Sequence, residues 1–144
     1  MIAVDTNVLL RRLLDDDAIQ SPKARRLFEA SHDVLITDVV LAETVWVLTG
    51  KRYKASKDDI LAMITGLLEE PRVLFENRAA IWSALNEYAN AAPVRTRSGL
   101  RELEFPDALI ANKAKLIAQR RGDTFDGTYT FDQVALKLDG MKSP

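Results

Sequence analysis

Apolar positions fall along this chain as short runs alternating with longer stretches of helical repeat. Ile2 to Val4 is an apolar run that ends in Asp5-Thr6-Asn7; Val8, Leu9, Leu10, Leu13 and Leu14 then recur at helical spacing until Asp15-Asp16-Asp17 breaks the pattern. Ser21-Pro22 reads as the N-cap and first turn of a second helix, about Pro22 to Ser31, with Ala24, Leu27 and Phe28 facing inward. Val34-Leu35-Ile36 predicts a second strand. Thr37 or Asp38 caps a helix over Val39 to Thr49, closed by Gly50, and Ser56 caps another from Lys57 to Glu70 that Pro71 helps to stop. Val73-Leu74-Phe75 predicts a third strand, and Asn77 introduces a helix from Arg78 to Ala91. The segment from Pro93 to Phe105 has no sustained period and reads as a loop. Pro106 opens a helix to about Arg121, stopped at Gly122. Thr124 to Phe131 suits a strand kinked at Gly127, and Val134, Ala135, Leu136 and Leu138 suggest a short last helix.

Strands separated by helices imply right-handed crossovers and a mostly parallel sheet covered on both faces, hence a three-layer α/β domain. No linker, repeat or low-complexity tract divides residues 1–144, so the expectation is a single domain. In such sheets the ligand site lies beyond the carboxyl ends of the strands. Composition narrows the chemistry. The absence of cysteine removes thiol nucleophiles, zinc ribbons and iron–sulfur sites, and a single histidine, His32, removes two-histidine metal motifs. Carboxylates are left to carry any catalysis. The balance of 20 Lys+Arg against 21 Asp+Glu does not announce a nucleic-acid binder, so local charge decides that question. The N-terminus shows no basic region followed by an apolar one, and no stretch reaches the ~18 apolar residues of a membrane span, so a cytoplasmic protein without membrane contact is expected.

Four acids stand where the expected fold would gather them. Asp5 ends the first strand, although Asp also serves there as an N-cap. Glu43 has Val39, Val40, Trp46 and Val47 as its helical neighbours, and a buried carboxylate must reach solvent, become protonated or face a cation. The cation has the stronger physical warrant. Asp107 follows Pro106 at a helix start, where the helix dipole alone would favour an acid, and Asp132 follows the last strand in Thr130-Phe131-Asp132. Carboxylates sharing a cleft repel one another unless cations neutralise them, and hard oxygen ligands select Mg²⁺ or Mn²⁺. Such ions can activate water for in-line displacement at phosphorus.

These residues resemble the PIN-domain nucleases, and among them the VapC-type toxins of bacterial and archaeal toxin–antitoxin pairs. The resemblance rests on Val-Asp5-Thr6-Asn7-Val, Glu43, Phe-Pro-Asp107-Ala-Leu-Ile-Ala and Tyr-Thr130-Phe-Asp132, and it spans nearly the whole chain. It implies a three-layer α/β/α PIN-like domain with a mostly parallel central sheet of four or five strands. It further implies a metal-dependent endoribonuclease in which Asp5, Glu43, Asp107 and Asp132 surround Mg²⁺ or Mn²⁺ and a metal-bound water attacks the phosphodiester. Thr6, Asn7 and Thr130 match positions that orient carboxylates or waters. A second Thr-Phe-Asp triplet ends at Asp126, so either acid can be the fourth; Asp132 is preferred because it lies beyond Tyr129-Thr130-Phe131. Glu102 and Glu104 read as solvated loop acids.

RNA needs positive surface beside such a cleft. Three clusters can supply it: Lys51, Arg52, Lys54 and Lys57; Arg95, Arg97 and Arg101; and Lys113, Lys115, Arg120 and Arg121. The second is the first choice because it leads directly into Asp107. Trp46, Tyr53 and Trp82 read as core or interface rather than substrate platforms. The resemblance also implies a homodimer and a VapB-type antitoxin whose tail blocks the acidic site. Leu9, Leu10, Leu13, Ile60, Met63, Ile64 and Leu67 could serve either contact or simply form core. Against this stand a haloacid-dehalogenase-like phosphatase, which wants a second Asp where Asn7 stands, a phosphate-receiver module, which wants paired acids after its first strand, and a non-catalytic PIN-like module binding RNA or protein.

Overall fold

A computed structural model describes residues 1–144, which form two units, Met1–Arg78 and Ala79–Pro144. The first is built on three short parallel strands, β1 (Ile2–Ala3), β2 (Val34–Ile36) and β3 (Val73–Phe75), in the order β1-β2-β3. Ile2 lies opposite Val34, which in turn lies opposite Val73. Val34 and Ile36, on one face of the middle strand, are wholly buried, and Leu35 on the other face is half-buried.

Four helices join these strands: α1 (Thr6–Leu14), α2 (Gln20–Glu29), α3 (Asp38–Thr49) and α4 (Lys57–Glu69). Each start has a local cause. Asp5 Oδ1 accepts the Val8 N–H at 2.9 Å to cap α1, and Thr37 Oγ1 accepts from Val40 to cap α3. Ser56 and Asp59 form a reciprocal capping box on α4, with Asp59 N donating to Ser56 Oγ at 3.1 Å and Ser56 N to Asp59 Oδ2 at 2.8 Å. Helix α2 begins two residues before the expected Pro22. Asp17 Oδ1 takes the N–H groups of Ile19 and Gln20, while Ser21, buried, accepts from Asp17 N, so the cap lies upstream of Ser21-Pro22. Leu9, Leu41, Ile60, Ile64, Leu67 and Leu68 are at most 1% exposed. Among the apolar positions left open between core and partner surface, Leu9, Leu10, Ile60, Ile64 and Leu67 are therefore core, each stabilising by roughly 1.5–3 kcal/mol through burial.

The second unit holds α5 (Arg78–Asn90, of which Arg78 ends the first unit), strands β4 (Val94–Thr96) and β5 (Gly99–Arg101), α6 (Phe105–Arg121), strand β6 (Thr128–Tyr129), a single 3₁₀ turn (Ala135–Lys137) and strand β7 (Met141–Lys142). Its core includes Ile81, Leu85, Tyr88, Phe105 and Leu109, with Tyr88 and Phe105 meeting edge to face at 6.0 Å. Helix α6 ends at Gly122, whose φ of +70° suits the left-handed cap, with Arg120 and Arg121 in the last turn complementing the helix dipole.

Several expectations change. The main sheet has three strands rather than four or five, with β1 at its edge. The expected strand from Thr124 to Phe131 contracts to Thr128–Tyr129, because the Thr128 and Thr130 N–H groups go to Gly140 O and Lys142 O, making a separate parallel ladder with β7. The segment after Pro93 is an antiparallel hairpin, β4 with β5, turned at Arg97-Ser98 before Gly99 at φ +114°. Strands of three residues are too short to show alternation in the sequence. No helix is long and apolar enough to cross a membrane.

Candidate active site

In the first unit, Asp5 stands one residue beyond Val4, at the carboxyl end of β1. Its Oδ1 caps α1, and its Oδ2 has no protein partner. The next residue, Thr6, is buried, and its hydroxyl donates to Glu43 Oε2 in the middle of α3. The expected burial of Glu43 in an apolar stripe is not observed. The stripe itself faces outward, with Val39 74% and Trp46 68% exposed, because α3 buries Leu41, Thr44, Val45 and Leu48 on its other side. Glu43 is exposed, so solvent and the Thr6 hydroxyl, rather than a protein cation, satisfy it. Asp5, Thr6, Asn7 and Glu43 line one pocket of about 340 Å³ with Arg11, Arg52 and Tyr53. Each of its two carboxylates thus has one oxygen fixed by the protein and one open.

In the second unit, Asp107 lies half-buried in the first turn of α6. Burial, then the charges of Glu104 and Asp132, push its carboxyl above the ordinary range, and Arg101 only partly offsets them. Glu104, expected to be a solvated loop acid, is the N-cap residue of α6 and acts directly on Asp107. Asp132 caps the turn that follows it: Oδ1 accepts from Val134 N at 2.8 Å and Ala135 N at 2.9 Å. Its Oδ2 takes Arg101 Nη2 at 2.9 Å. The Ala135 N–H foremost, with Arg101 and the Val134 N–H, holds Asp132 below the usual carboxylate range against its partial burial. Thr130 Oγ1 accepts the Asp132 N–H at 3.0 Å and braces this turn. Asp126 instead bonds the Tyr129 hydroxyl and Lys142, away from any influence on Asp107.

Arg95 and Arg97 are exposed on the hairpin, whereas Arg101 is committed to Asp132, a pairing invisible in sequence because 31 positions separate the two. Tyr53, expected in core or interface, lines the acidic pocket; Trp46 is on the surface and Trp82 is 39% exposed. Within neither unit do three or more Asp, Glu or His side chains form a ready-made metal cage. What each unit does hold is hard oxygen chemistry: the Asp5–Glu43 pocket in one, and Asp107 under the field of Glu104 and Asp132 in the other. That donor set suits Mg²⁺ or Mn²⁺; burial first, and the neighbouring negative charges second, account for the raised proton affinity of Asp107.

Against known proteins, the PIN domain family matches residues 2–136. The chain belongs to that family, whose fold is three-layer α/β/α, the class expected from its alternation of strands and helices. Among solved structures it is similar to the crystal structure of Mycobacterium tuberculosis VapC20, a sarcin–ricin loop cleaving toxin, at 23% identity over 92% of this chain and 91% of that one, with a TM-score of 0.40. No curated protein matches.

Proposed function

We propose that this chain is an Mg²⁺- or Mn²⁺-dependent endoribonuclease, the toxin of a VapBC-type toxin–antitoxin pair, working in the cytoplasm as a homodimer neutralised by a VapB-type antitoxin. Membership of the PIN family supports the reading. The observation that carries it is the Asp5–Glu43 pocket, in which two carboxylates are each pinned by one oxygen and open at the other. The reading takes residues 1–144 as one PIN domain, supported by a family match that runs unbroken through residues 2–136.

Asp5, Glu43, Asp107 and Asp132 are proposed to serve one reaction as ligands of the ion. A bound divalent cation supplies Lewis acidity toward a phosphoryl oxygen and a lowered pKa for water. The protein's own part is to hold its carboxylates ready. Thr6 prevents Glu43 from swinging, the α1 N-terminus fixes Asp5, and the Val134 and Ala135 N–H groups keep Asp132 ionised and oriented. Asn7 lines the same pocket and is proposed to orient water there. Arg95 and Arg97 are proposed to take RNA phosphates; Arg101 supports Asp132 as well.

Cleavage of a total-RNA pool by protein purified free of any partner tests the reading, with Mg²⁺ or Mn²⁺, with EDTA, and beside Asp5→Asn. Discrete fragments that require both the ion and Asp5 are expected. Intact RNA in every lane from folded, metal-binding protein would overturn it in favour of a non-catalytic module.

A further inference from the structure

The loop between α3 and α4 carries Lys51, Arg52, Tyr53 and Lys54, and its backbone is tied down. Gly50 N donates to Val47 O at 3.3 Å, Lys54 N to Gly50 O at 2.9 Å and Ala55 N to Leu48 O at 2.8 Å. Lys54 holds φ at +50°, the left-handed conformation that closes the turn. On this fixed loop the Arg52 guanidinium stands 5.1 Å over the Tyr53 ring, and both side chains line the pocket of Asp5 and Glu43.

The charges in that pocket are unevenly committed. Arg11 gives Nη1 to Asp16 at 2.8 Å and Nε to Gln20 at 2.9 Å. Arg52 is exposed, and beyond its stacking on Tyr53 it has no hydrogen bond or ion pair with the protein. A phosphodiester approaching Asp5 and Glu43 meets repulsion from both carboxylates, and Arg52 is the guanidinium on that wall with its donors still available. A planar fork with several N–H groups matches phosphate oxygens in two-point contact, and a stacked guanidinium is already oriented for it.

We infer that Arg52, stacked on Tyr53, is the residue that anchors the RNA strand at the Asp5–Glu43 pocket by gripping a backbone phosphate. The inference rests on the nuclease reading and deepens it. Tyr53 is a positioning residue: its ring covers one face of the guanidinium and directs the N–H groups at its edge toward the strand. Single-stranded RNA is the expected ligand, because its backbone can bend a phosphate into a pocket of this size.

The test is fluorescence anisotropy with a labelled random-sequence single-stranded oligoribonucleotide in EDTA, which blocks cleavage, over a series of salt concentrations. It compares wild type with Arg52→Ala, Arg52→Lys, Tyr53→Ala and Tyr53→Phe, and the same proteins are assayed for cleavage of total RNA with Mg²⁺ and Mn²⁺. Arg52→Ala is expected to weaken binding about tenfold at moderate salt and to lower the slope of log K against log salt by ~0.7, the contribution of one phosphate on a single strand. Arg52→Lys keeps the slope and recovers part of the affinity, and Tyr53→Phe binds better than Tyr53→Ala. In cleavage, KM rises while kcat changes little. Wild-type affinity and slope in Arg52→Ala, from a wild type that binds and cleaves RNA, would overturn this inference and leave the nuclease reading standing. A folded wild type that neither binds nor cleaves RNA would sink both.

Discussion

Asp5 uses its two oxygens for different purposes, and that makes its structural and proposed chemical roles separable. Oδ1 caps α1, whereas Oδ2 points to no protein group. Asn is as good an N-cap as Asp, so Asp5→Asn should keep the stability of wild type while RNA cleavage falls at least ~100-fold; Asp5→Ala should lose cleavage and about 1 kcal/mol of stability as well. Urea unfolding beside initial cleavage rates separates the two. Thr6 acts through Glu43, and removing its hydroxyl leaves that carboxylate mobile. Thr6→Val should cost about 10–100-fold in activity and Thr6→Ser far less, as for other groups that orient metal ligands. Asp107 makes the opposite trade. Its raised proton affinity means the folded chain prefers the neutral acid, so the stability that Asp107 contributes is present below the ordinary carboxylate range and is lost as pH rises through the raised value. At neutral pH in EDTA, Asp107→Asn should therefore melt above wild type by calorimetry while losing RNA cleavage, and an equal or lower Tm would contradict this account of its environment. The four acids were visible in the sequence, Asp5, Asp107 and Asp132 at strand or helix ends and Glu43 within a helical repeat. The open face of Glu43 was not, because periodicity marks an apolar stripe without telling whether that stripe meets core or water.

Helix starts in this chain are local events, which is why Ser56 was readable as a cap, Thr37 as one of two candidates beside Asp38, and Asp5 as one of its two readings. The α4 capping box adds a testable pH dependence. The Ser56 backbone N–H, and then its hydroxyl, hold Asp59 below the ordinary carboxylate range, so the stability from Asp59 is present above that range and lost as pH falls through the depressed value. The Tm gap between wild type and Asp59→Ala should be widest near neutral pH and close toward strong acid; a gap constant with pH would show that the ionised carboxylate contributes nothing. The hairpin of β4 and β5 and the ladder of β6 and β7 escaped the sequence pattern for a different reason. Two- and three-residue strands carry too few positions to register a period, and β7, the partner of β6, lies beyond the 3₁₀ turn. Gly99 and Gly127, both at positive φ, mark the local bends but do not say what pairs across them.

For the molecule as a whole, the proposal of one PIN domain predicts a single cooperative unfolding transition, seen alike by circular dichroism and by tryptophan fluorescence, with Trp46 and Trp82 reporting from the two units. Two separated transitions would show Met1–Arg78 and Ala79–Pro144 melting independently. If the acids hold a divalent ion, Mn²⁺ should raise Tm in proportion to log concentration once the site is filled, and Asp5→Asn with Glu43→Gln should abolish the rise; an equal rise in that variant would place the ion elsewhere. By itself the sequence determined the alternation of strands and helices, the absence of thiol chemistry and the positions of the acids, because each follows from local periodicity, capping and composition. Only the tertiary structure decided that Thr6 holds Glu43, that Arg101 neutralises Asp132 while Glu104 and Asp132 load Asp107, and that Arg52 and Tyr53 face the Asp5 pocket. Those are meetings of side chains distant along the chain or turned toward a common space, and hydrogen bonding and electrostatics act through that space rather than along the backbone.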